Sequence, residues 1–231
     1  MAFSGQVLDN PISGERFIFH QTAGDTGGRL LAFDLILAPD GHVPGGHVHP
    51  VQEERFQVLR GTMRFRKGLT TVIARAGDEV VVPPGSYHRF ANAGKEPAMV
   101  RVEVRPALSM ERLYQTVVAL TRDGRTMRTG MPKPLDLALF MRAFDQEVQA
   151  PLAPGLFRAA TAPLAWLAAR RGLERRYPRL SAATALGPAR PGDGRAAGAR
   201  PQPTRPIPAG RRAPQGHPGG TRRPRTPTRG A

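Results

Sequence analysis

The stretch GGHVHPVQEERFQVLRG, residues 45–61, sets two histidines two positions apart and follows them with two adjacent glutamates. An apolar-alternating run then stops at a glycine. In an extended chain residues i and i+2 share a face, their Cα atoms about 6.5–7 Å apart. His47 and His49 can therefore aim at one point between them, and Glu53 or Glu54 can return to it on the next turn or strand. A second block, GDEVVVPPGSYHRFAN, residues 77–92, carries His88 behind a Pro83-Pro84-Gly85 turn that brings the chain back towards the same face. Three imidazoles and one carboxylate suit a divalent first-row metal.

The surroundings of both blocks read as short strands. RFIFH, RLLAFDLILA, ERFQVL, TMRFR, TTVIA, EVVVP, YHRFA and AMVRVEVR follow one another between residues 15 and 105. Turn signals such as Ala38-Pro-Asp-Gly, Arg66-Lys-Gly and Asn92-Ala-Gly separate them. Many short strands with regular turns predict a β-sandwich or barrel. In residues 99–105, Val100, Val102 and Val104 alternate with Arg101, Glu103 and Arg105, giving one dry face and one wet face.

Near residue 109 the period changes. Ser109 can cap a helix whose apolar face is Met110, Leu113, Tyr114, Val117 and Val118, with Gly124 as the stop. A second helix is predicted from Pro134, with a stripe of Leu137, Phe140, Met141, Phe144 and Val148. A third runs from about Pro154 to Leu173, with a kink or restart expected at Pro163. From about Ser181 the pattern ends. The last 51 residues hold ten Pro, nine Gly and ten Arg, and cannot offset the entropy of folding. That segment reads as a disordered tail, either a basic tail for an anionic partner or a terminus of non-native origin such as a frameshift.

The net charge of +16 would suggest nucleic-acid binding, but the ten tail arginines face a single acid, Asp193, so more than half of the excess sits there. The helices show no clustered basic recognition face, and no specific nucleic-acid binding is expected. The absence of cysteine excludes disulfides and thiolate metal sites. The first residues lack the basic and apolar regions of a secretory signal, which makes a soluble cytoplasmic protein the expectation.

The two blocks together resemble the cupin motifs. The first has Gly41, five residues, His47, one, His49, four, Glu54, six and Gly61; the second has Gly77, five, Pro83, one, Gly85, two, His88, three and Asn92. The spacer, residues 62–76, is as short as in compact single-domain members. The resemblance implies a small antiparallel β-barrel or jelly roll with His47, His49, Glu54 and His88 as metal ligands, and its spacing to Gly61 selects Glu54 over Glu53. It implies one divalent ion, with Fe, Mn, Zn and Ni all open. The expected organisation is a barrel over residues 1–108 and a helical extension over 109–178, packed on the barrel or on a dimer partner. The disordered tail occupies 179–231.

With Glu54 inward, alternation turns Phe56 and Val58 inward as well. Phe90 follows His88 by two residues, and Met63 alternates with Arg64, so Phe56, Val58, Met63 and Phe90 are the expected pocket lining. His42 is expected in a solvated turn, His20 and His217 at the surface, and Trp166 in helix packing. No acid–base residue stands out beyond the ligands. That favours metal-centred, dioxygenase-type oxidation of a small enol, phenol or ketone; the alternative is a non-catalytic ligand-binding or sensor module. A homodimer is the expected assembly. Membrane contact, through a third helix carrying Arg158, Arg170 and Arg171, is the less favoured reading.

Overall fold

The computed structural model describes residues 2–176, within the first of two units, residues 1–189 and 190–231. The expected disordered tail, residues 179–231, lies outside the described residues. Among the described residues, nine strands form the core: β1 (Val7–Asn10), β2 (Glu15–Gln21), β3 (Leu31–Leu37), β4 (Glu53–Arg60), β5 (Thr62–Lys67), β6 (Thr70–Arg75), β7 (Glu79–Val82), β8 (His88–Asn92) and β9 (Ala98–Arg105). They make a six-stranded sheet in the order β1-β2-β3-β9-β4-β7 and a three-stranded sheet in the order β6-β5-β8. Every neighbouring pair is antiparallel.

Alternation places the core. Phe17 and Phe19 of β2, Phe33 and Leu35 of β3, Phe56 and Val58 of β4, Met63 and Phe65 of β5, and Val100, Val102 and Val104 of β9 are buried. Each such side chain withdrawn from water contributes roughly 1.5–3 kcal/mol. The β4–β5 turn needs its glycine. Gly61 has φ of 83°, and a Cβ there would stand 2.8 Å from the Ala98 Cα. The left-handed backbone and the close approach of β9 both exclude a side chain.

A short helix, α1 (Ala23–Thr26), joins β2 to β3 and is closed by a Thr22/Asp25 capping box. The helical extension comprises α2 (Met110–Arg122), α3 (Pro134–Ala143), α4 (Pro154–Arg170) and α5 (Leu173–Arg176). Tyr114 of α2 stacks on Phe17, with ring centroids 4.6 Å apart, and meets Phe33 edge-on at 5.2 Å. α2 therefore packs on the strands of the same chain.

Three expectations need correction. α4 continues through Pro163 as one helix, without the restart that was one of the two outcomes expected there. Pro163 and Ala159, whose carbonyl loses its partner there, are both exposed, so water can satisfy the freed group. Trp166, expected to pack, is 59% exposed, and the Arg170 guanidinium lies 4.4 Å from its ring centroid. Its position on α4 faces outward, while Ala165 and Ala168 make the buried face. α3 also ends five residues before Val148, the last member of its expected stripe. Among the described residues no helix is long and apolar enough to cross a membrane.

Candidate metal centre and ligand cavity

Glu54 lies near the start of β4, and His88 opens β8. His47 and His49 sit in the extended segment before β4. That segment is held as a strand would be: His47 and His88 exchange backbone hydrogen bonds of 3.0 and 2.9 Å, and Val48 and Gln149 do the same at 3.0 and 2.9 Å. The same-face relation of His47 and His49 is thereby kept. A Cβ on Gly46 would come within 2.0 Å of the Tyr87 hydroxyl, so the bare backbone lets this segment close on the β8 side.

The four side chains converge. One ligand atom from each of His47, His49, Glu54 and His88 lies within 4.8 Å of the others. Each imidazole donates its Nδ1–H to a backbone carbonyl: His47 to Gly45 at 2.9 Å, His88 to Ser86 at 3.2 Å, and His49 to Glu147. A carbonyl brings no proton, so these bonds fix the tautomer and aim three Nε2 atoms inward. His88 Nε2 is 2.9 Å and His49 Nε2 3.3 Å from Glu54 Oε2. His47 Nε2 is 3.2 Å from His49 Nε2. Two acceptor nitrogens so close repel unless a proton or a metal cation lies between them. The donor set, three imidazole nitrogens and one carboxylate oxygen, is of the borderline kind that suits Fe, Mn, Ni or Zn. The group can therefore hold a metal ion.

Glu53 faces the opposite way, towards Arg55 at 3.4 Å, and takes no part in the cluster. Electrostatics agree with the geometry. Burial, reinforced by the neighbouring His49 and His88, drives His47 down to about 3, so its nitrogen stays free of a proton. Burial works against the charged forms of both His49 and Glu54, but their mutual attraction wins. His49 is raised, and Glu54 is held well below the ordinary carboxylate range.

The cluster opens on a cavity of about 270 Å³ between the barrel and the extension. His47, His49 and Glu54 form part of its wall, while His88 lies behind them, fully buried. Phe56, Phe90 and Val102 line the cavity as well. Val58 and Met63, expected in the lining, are packed in the core outside it, because the cavity runs under α2 rather than along the full length of β4 and β5. Met110, Leu113, Tyr114 and Val117 of α2 and Phe140 of α3 complete the apolar wall.

Sequence reasoning missed three contributors. Glu147 lies far along the chain, yet its carbonyl accepts from His49 and its carboxylate accepts the Ser109 N–H at 2.9 Å. Tyr114 reads as one of several apolar positions on α2. Burial, with Glu54 and Glu15 nearby, raises its phenol well above the ordinary value. Glu15 also lines the cavity, so the expectation of no acid–base group beyond the ligands is corrected. Its signal was available: it alternates with Phe17 and Phe19, the inward residues of β2. His20, expected at the surface, is partly exposed and pairs with Asp34 at 2.8 Å, and His42 turns back onto the Asp40 carbonyl.

Residues 33–105 match the family model described as "Cupin domain". No curated protein matches the chain. Solved structures similar to it include the cupin domain of Cnp3 from Schizosaccharomyces pombe, at 14% identity over 48% of this chain and 74% of that one, with a TM-score of 0.39. KdgF from Halomonas sp. is 14% identical over 43% of this chain and 84% of that one, with a TM-score of 0.38. A sugar phosphate isomerase of the cupin superfamily from Silicibacter pomeroyi is 23% identical over 41% of this chain and 60% of that one, with a TM-score of 0.36. The match spans both motif blocks, so residues 33–105 are a cupin domain by that model.

Proposed function

We propose that the protein binds one divalent first-row metal through His47, His49, Glu54 and His88 and acts as a dioxygenase-type metalloenzyme. Its substrate would be a small, largely apolar enol, phenol or ketone. The observation that carries this reading is the convergence of three tautomer-fixed Nε2 atoms and Glu54 at the wall of an apolar cavity. A bound ion would act as a Lewis acid towards a substrate oxygen and would leave up to two coordination positions open. The chain's own residues do the rest. Gly45, Ser86 and Glu147 hold the imidazoles in register through their carbonyls. Phe56, Phe90 and Val102 exclude water and shape the space for the substrate body.

The second reading, a non-catalytic ligand-binding module, is favoured by α4. Leu156, Leu164 and Trp166 are exposed on it, apolar side chains that would suit a protein partner responding to a ligand. Oxygen uptake separates the two. The full chain is loaded with Fe(II), Mn(II) or Ni(II) and given a panel of catechols, enols and diketones under air. Metal-dependent uptake that is lost in Glu54→Gln supports the enzyme. Stoichiometric metal with ligand binding but no uptake supports the module.

A further inference from the structure

Glu15 is the buried carboxylate that the metal centre leaves unused. It is 6% exposed and lines the same cavity as His47 and His49. The other buried acids have work: Glu54 belongs to the cluster, Asp136 is paired with Arg125 at 2.8 Å, Asp34 with Arg101, Glu147 with the Ser109 N–H, and Glu111 with the Ala23 N–H. Among the described residues Glu15 is paired with no cation. Among the described residues its carboxylate accepts one side-chain hydrogen bond, from the Ser13 hydroxyl at 2.6 Å. An ionised carboxylate has about four lone-pair sites, so most of its accepting capacity is unused. A buried charge so poorly compensated is costly unless a ligand supplies the partner. Burial accordingly lifts its pKa to about 7.

Register places this group away from the metal centre. Glu15 pairs with Leu37, the last residue of β3. Glu54 pairs with Val104, which pairs with Leu31, the first residue of β3. One cavity thus has a polar group at each end of β3 and an apolar wall between them. Beside Glu15, Phe17 and Tyr114 also line the cavity, stacked on each other at 4.6 Å. A carboxylate beside aromatic rings in a largely apolar cavity has the chemistry of an ammonium site, since both attract a cation.

We propose that Glu15, with Ser13, Phe17 and Tyr114, forms a second anchor in the cavity that takes the ammonium end of an apolar ligand. The substrate class is then an amine-bearing molecule whose oxygen-bearing end reaches the histidine cluster. The latter half rests on the proposed metal function; the ammonium anchor itself does not, because it needs no metal.

The test uses the metal-free full chain at pH 8, with 2-phenylethylamine and 3-phenylpropionate as probes, followed by calorimetry or by methyl and aromatic NMR shifts. The amine is expected to bind and the carboxylate is not. Glu15→Gln, which keeps the shape and removes the charge, is expected to weaken the amine at least tenfold. If Glu15→Gln does not fold, Glu15→Asp replaces it, with a several-fold loss expected from the retracted carboxylate. Absence of amine binding, or equal affinity in wild type and variant, would overturn the anchor. Metal uptake by the wild type is measured separately on the same preparations. Its failure would count against the metal reading alone.

Discussion

His47 Nε2 and His49 Nε2 stand 3.2 Å apart, and both rings already spend their Nδ1–H on backbone carbonyls. In the absence of metal one proton must hold this pair together; a divalent cation holds it better and binds Glu54 as well. Adding Ni(II) or Zn(II) should therefore raise the thermal midpoint of the full chain. A ligand at a hundred times its Kd stabilises by about 2.7 kcal/mol. His47→Ala and His49→Ala should each abolish the rise and sharply reduce metal content. A midpoint that responds equally in wild type and both variants would mean that the metal binds elsewhere.

Glu53 and Glu54 are neighbours with opposite fates. Glu53 lies beside the Arg55 guanidinium on the outer face, an exposed pair of little energetic worth. Glu54 is buried against two imidazoles. Glu53→Gln should leave metal affinity unchanged, whereas Glu54→Gln should lower it at least tenfold by removing a ligand. Competition against a chromophoric chelator measures both. The reverse ranking would shift the ligand by one residue.

The buried Glu15 should make stability depend on pH. Its carboxyl has a folded pKa of about 7 against an ordinary 4.5, because burial disfavours the charge. Between those values the folded chain holds a proton that the unfolded chain has lost, so this contribution to stability falls as pH rises. Above about pH 7 the whole cost is present, up to about 3 kcal/mol before any relief from water in the cavity. Glu15→Gln should therefore gain in thermal midpoint over wild type on going from pH 5 to pH 8. A difference that is constant across that range would show Glu15 to be solvated.

Phe140 tests the extension. It is 6% exposed, packs against Phe144 at a centroid distance of 5.0 Å and lines the cavity. Phe140→Asp removes that packing and buries a charge, and should destabilise the fold by about 3–5 kcal/mol. Adding Leu137→Asp puts a second charge on the cavity wall. Chemical denaturation is the measurement. A double variant with unchanged midpoint and unchanged oligomeric state would show that α3 is not part of the folded unit.

Much of the barrel and cluster was legible because both rest on short periods. Alternation in β2, β4 and β9 named the inward side chains, and the motif spacing named the four converging residues. What stayed hidden depends on how distant elements meet. Glu147 reaches His49 only once the segment after α3 folds across the site and Gln149 pairs with Val48. Val58 and Met63 point inward as alternation requires, but whether an inward residue meets the core or the cavity is decided by where α2 lies. Glu15 was readable as a charge among inward phenylalanines. Its meaning required the cavity.

The central claim is that one ion sits among His47, His49, Glu54 and His88. The most direct measurement is anomalous diffraction from crystals of the full chain grown with Ni(II) or Zn(II), with the metal-to-protein ratio determined on the same sample. The account predicts one ion per chain, with the three Nε2 atoms and a Glu54 oxygen at about 2.0–2.2 Å. A ratio near zero, or an anomalous peak placed away from these four side chains, would contradict it.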